Sequence, residues 1–151
     1  MKMVNVKYQI LFIISIMLIG CTRKNADIPE TSTAIVNEMM CYAYTENKDT
    51  IQLSITTSDD RVTGRLTYNL FEKDKNTGKL VGSMQGDTLF ADYTFMSEGV
   101  ESTREVAFVK DEKGFVEAFG AVEEKNKKIE FTDHSSLQLN DQIILRPIPC
   151  K

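Results

Sequence analysis

Between Glu38 and Arg146 the chain alternates hydrophobic and polar positions with a period of two, and the stretch has no proline. In "TIQLSIT", Ile51, Leu53 and Ile55 oppose Gln52, Ser54 and Thr56. In "VTGRLTYNL", Val62, Leu66, Tyr68 and Leu70 share a face against Thr63, Arg65, Thr67 and Asn69. "TLFADYTF" repeats the pattern through Leu89, Ala91, Tyr93 and Phe95, with Phe90 as the exception. Such alternation marks half-buried antiparallel strands. The spacing predicts strands at about 39–45, 50–57, 61–72, 79–85, 88–96, 102–110, 115–123, 128–132 and 142–146. The last should stop where Pro147 removes a ladder donor. "DKNTGK" (74–79) and "KDEKGF" (110–115) read as turns with a glycine bulge, and "QGD", "SEG" and "EKNKK" as further turns. No stretch after residue 20 has helical periodicity.

Eight or nine short-looped strands describe an all-β, antiparallel, up-and-down meander. A meander hides its edges most simply by closing into a small barrel, an architecture like that of the lipocalins. A β-sandwich is the alternative.

The first 21 residues follow another rule. "MKMVNVKYQ" carries Lys2 and Lys7 and no acid, "ILFIISIMLI" is apolar, and Gly20-Cys21 follows. This is the layout of a secretory signal, too short to serve as a permanent span. Its end, "LIGC", resembles the lipobox of bacterial lipoprotein precursors. That resemblance implies that residues 1–20 are removed and that Cys21 is lipidated, giving a membrane anchor of acyl chains. Residues 21–37 then form a lipidated, polar tether containing Pro29. Residues 38–151 form one domain. By similarity to Gram-negative sorting rules, Thr22 after the anchor favours the outer membrane, with the periplasmic or outward face left open. As a whole the chain looks like a small envelope lipoprotein of the Bacteroidota type, a likeness that implies no defined activity.

The formal net charge is −4. Loss of Lys2 and Lys7 with the signal makes the mature chain more acidic, which argues against a nucleic-acid partner. Of three cysteines, Cys41 and Cys150 remain after lipidation of Cys21. In an oxidising compartment an even pair suggests a disulfide. Two unpaired thiols are the alternative. No CxxC is present, so a redox role is not expected.

Candidate chemistry is sparse. Asp133, His134 and Ser135 are adjacent, and neighbours on an extended chain cannot converge into a triad. "DKNTG" fails the calcium-loop pattern at its sixth and twelfth positions. No metal set, nucleophile elbow or phosphate loop is present, so no metal, no cofactor and no catalytic residue is expected. Glu123-Glu124 and Asp111-Glu112 read as solvated strand ends. One feature stands out. Arg104 shares a face with Val106 and Phe108, and Glu117 shares one with Phe115 and Phe119. If those faces point inward, Arg104 and Glu117 join Tyr68 and Tyr93 as an internal polar site. Two readings fit it: a structural ion pair fixing strand register, or the polar spot of a ligand cavity. If strand 115–123 faces the other way, Val116, Ala118 and Val122 are buried and Glu117 is in water. The function expected is a non-enzymatic binding or interaction module, with a small apolar ligand or an envelope protein as partner. A structural accessory protein with a filled core and an enzyme-inhibitor barrel are the alternatives.

Overall fold

The computed structural model describes residues 37–151. The expected signal (1–20), the expected lipidation site Cys21 and residues 22–36 of the expected tether lie outside the described residues. The described residues are all-β, with ten strands: β1 (Met39–Glu46), β2 (Asp49–Ser58), β3 (Arg61–Asn69), β4 (Asn76–Gln85), β5 (Thr88–Ser97), β6 (Val100–Asp111), β7 (Gly114–Phe119), β8 (Val122–Lys125), β9 (Lys128–Phe131) and β10 (Gln138–Ile148). β1 to β7 pair in sequence, β7 pairs with β10, and β10 returns to β1. Eight antiparallel strands thereby close the barrel, and no sandwich forms.

β8 and β9 depart from the meander. They form a hairpin outside the barrel, and β9 runs parallel to β6 at Thr103↔Lys128 and Arg104↔Ile129. β7 pairs with β6 only from Ala107 to Asp111. The two barrel strands therefore separate above Ala107, and the hairpin occupies the seam. The predicted strand 115–123 breaks there, at Gly120-Ala121. A side chain at Gly120 would meet Leu137 Cδ2 at 2.6 Å and would require that side chain to move. β10 starts at Gln138, four residues earlier than expected, and reaches β7 through a register shift between Leu139 and Ile144. It also runs past Pro147, which pairs with Tyr42. On its other side the pairing with β7 ends at Leu145, opposite Phe115, so a proline can be accommodated at this edge.

The turns are mostly as expected. Glu98 and Gly99, and Asn126 and Lys127, take positive φ in two-residue hairpins. The exception is the β3–β4 connection. Gly78 lies within β4, and the left-handed residue is Glu72.

Tyr42, Ile51, Leu53, Ile55, Val62, Leu66, Leu80, Leu89, Val106, Phe108, Phe115 and Leu145 fill the interior. Cys41 and Cys150 are joined, with sulfurs 2.10 Å apart and Cα atoms 5.3 Å apart. The bond ties the start of β1 to the end of β10, at the end of the barrel where the chain enters. The β1–β2, β3–β4 and β5–β6 loops lie at the opposite end.

Candidate functional site

The barrel interior changes character along its axis. Toward the end with the disulfide it is aliphatic and packed. Toward the other end β3, β5, β6 and β7 contribute Tyr68, Tyr93, Phe95, Arg104 and Glu117. Alternation dictates this: each has the parity of an inward neighbour, and Tyr93 and Arg104 are directly paired across β5 and β6. All four predicted polar-site residues come together. Glu117 faces inward on a strand whose other face is covered as well, since Val116 and Ala118 are also buried. Val122 is exposed, not buried.

The expected Arg104–Glu117 ion pair does not form. Among the described residues no carboxylate oxygen lies within 4.0 Å of Arg104. Glu117, 4% exposed, instead accepts a 2.5 Å hydrogen bond from the Tyr68 hydroxyl. The Arg104 guanidinium lies over the rings of Tyr68, Tyr93 and Phe95, at 5.1, 5.6 and 5.8 Å from their centroids. Each ring face attracts a cation by roughly 0.5–2 kcal/mol, more as water is excluded. The cage is built from its own contacts: Tyr93 stacks on Phe95 at 4.7 Å and meets Tyr68 edge-on at 5.8 Å.

Burial sets the protonation of this group. It raises the Glu117 carboxyl above its ordinary value, against the hydrogen bond from Tyr68 and the charge of Arg104, which pull it down. It also holds the Tyr68 phenol far above the usual range, with Glu117 adding to the effect. Tyr93 is pushed up to about 12, chiefly by burial. All these groups favour their uncharged forms, which leaves Arg104 as the charge of the site. Two of its polar atoms have no partner: Arg104 Nε and the Tyr93 hydroxyl are both buried and unbonded.

Two recesses reach these residues. One, of about 260 Å³, opens at the barrel mouth between Ile51, Tyr68, Leu70, Phe119 and Ile143, with Lys73, Asp74 and Asn76 at its rim. The other, of about 270 Å³, lies in the seam between β6, β7 and the β8–β9 hairpin. Both are lined by Arg104, Glu117 and Phe119. The hairpin is held by Lys128, 2.7 Å from Asp92, and by Glu105, which accepts from the Phe131 amide.

His134 is not merely solvated. Its ring stacks on Phe90 at 4.4 Å, and its Nε2 is 3.2 Å from Glu105 Oε2. This explains why Phe90 breaks the alternation, since it serves an outer apolar contact. Asp133 bonds the Ser135 amide and hydroxyl, so Asp133, His134 and Ser135 make no triad. Asp111 caps its own turn by accepting from the amides of Lys113 and Gly114. Glu123 and Glu124 are exposed. Among the described residues no group of His, Cys, Asp or Glu is placed to hold a metal ion.

Sequence reasoning missed Phe119 and Ile143 as mouth residues and the hairpin as a wall. The signal was present at Gly120-Ala121, where the alternation lapses just after Phe119. No family model, curated protein or solved structure matches the chain.

Proposed function

We propose that the protein is a non-enzymatic binding module, anchored in the cell envelope through lipid on Cys21, that holds one small molecule in the mouth of its barrel. One observation carries the binding reading. A caged, half-buried Arg104 without a carboxylate partner lies where two recesses meet. A charge taken out of water is costly unless it is compensated, and a purely structural plug would compensate itself. Apolar walls with a few convergent polar groups are the usual make-up of a small-molecule site. The mouth also opens at the end of the barrel away from Asn37, where the chain arrives from its tether.

The filled-core reading has its own support in the packed aliphatic half and in the Tyr68–Glu117 bond. The two readings separate in a fragment screen followed by NMR. Small amphipathic fragments should perturb Leu70, Ile143 and Phe119 together with Arg104. Fragments that bind nowhere, or only at the outer surface, would favour the filled core.

A further inference from the structure

The recess has a chemical preference that follows from what it lacks. Arg104, which lines the recess, carries an unpartnered Nε–H donor, and Tyr93, directly paired with it across β5 and β6, carries an unpartnered hydroxyl. The nearest acidic side chain, Glu117, is engaged by Tyr68 and makes no ion pair with the guanidinium. The Arg104 donor therefore lacks an acceptor, and beside a cation with no carboxylate partner an anionic acceptor is favoured most.

Charge count limits the anion. Arg104 and Lys73 are the cations lining the mouth recess, and Asp74 and Glu117 line it too. With Glu117 held uncharged by burial, two cations and the one carboxylate of Asp74 leave a single positive charge, too little for a dianion such as a phosphate monoester. A monoanion that offers two oxygens to one guanidinium matches the site. The walls, Ile51, Leu70, Phe119 and Ile143, ask for an apolar body. Its size is bounded as well. The recess is about 260 Å³, just under the ~300 Å³ at which drug-sized sites begin.

We infer that the mouth recess takes a small monocarboxylate with a short apolar body, its carboxylate on the Arg104 guanidinium. The Tyr93 hydroxyl lies behind that contact and the alkyl or aryl part lies against Phe119 and Ile143. This assignment rests on the binding reading above and goes further by naming the class of ligand.

The test uses the chain from Thr22 onward, because residues 35–151 form a compact unit with its own core. Hexanoate, hexan-1-ol and hexylamine are titrated against ¹⁵N-labelled protein, and the Arg104 Nε–H signal is followed. Hexanoate should bind about tenfold or more tightly than hexanol, the effect of a charge-assisted hydrogen bond, and should move that signal. Arg104→Gln should lose that advantage. Ile143→Trp, which fills the recess without touching the polar group, should block hexanoate and keeps the test open if the Arg104 variant fails to fold. If hexanol or hexylamine binds the recess as tightly as hexanoate, the carboxylate assignment falls while the binding reading stands. If no alkyl probe of any charge enters the recess, both fall.

Discussion

Glu117 accepts the Tyr68 hydroxyl deep in the mouth, and burial raises its affinity for a proton. The folded protein therefore holds that proton more tightly than the unfolded chain, whose value lies near 4.5. The stability from this residue is fully present below that value and is lost as pH rises through the folded value. Each unit of separation is worth about 1.4 kcal/mol. Glu117→Gln keeps an acceptor for Tyr68 and cannot ionise. Urea midpoints measured from pH 4 to 9 should show the variant gaining on the parent as pH rises. Parallel curves would mean that Glu117 is not held protonated. At this scale the sequence was informative about direction and silent about partners. Parity alone turned Arg104, Glu117, Tyr68 and Tyr93 inward. Which of them touch depends on strand stagger and on where β7 leaves β6, and neither leaves a mark on the alternation. The expected Arg104–Glu117 pair gave way to Tyr68–Glu117 for that reason.

Strand curvature makes the barrel close, and β4 shows how. Gly82 lies inward opposite Ala91, and a Cβ there would be 2.0 Å from the Phe90 carbonyl oxygen and 2.6 Å from Ala91 Cα. Both obstacles are backbone, so Gly82→Ala must push β4 away from β5. The expected loss is on the order of 2–4 kcal/mol. Gly86 is a useful contrast. It sits in the next turn with φ of 61° and nothing within 4 Å of an added Cβ. Gly86→Ala should cost only about 1–2 kcal/mol, the penalty of the left-handed conformation. Equal losses in chemical denaturation would contradict the close approach at Gly82. Elements with strict alternation, such as β2 and β5, were legible nearly to the residue. The start of β10 was not, because "QLNDQ" runs through a register shift where neither face is consistently apolar. Pro147 misled in the same strand: its missing donor counts only on a side that has a partner.

At the largest scale, the barrel formed by the described residues has two unlike ends. The Cys41–Cys150 bond closes a separation of 109 residues at one end, where a crosslink restricts the unfolded chain by up to about 4.7 kcal/mol in the chain-entropy model. The other end carries the caged arginine and the recesses. Closure itself could be foreseen from nine short-looped strands and two terminal cysteines. The outlying hairpin could not, since β9 alternates like a barrel strand and only its parallel contact with β6 sets it, with the fully exposed β8, outside.

The measurement that tests the central claim most directly is native mass spectrometry of the protein purified from the cells that make it. The account predicts a chain beginning at Cys21, with acyl mass on that residue and the Cys41–Cys150 bond intact. It also predicts a non-covalent adduct of reproducible small mass that disappears in Ile143→Trp. A chain without acyl mass at Cys21, or a clean apo mass identical in the parent and in Ile143→Trp, would contradict it.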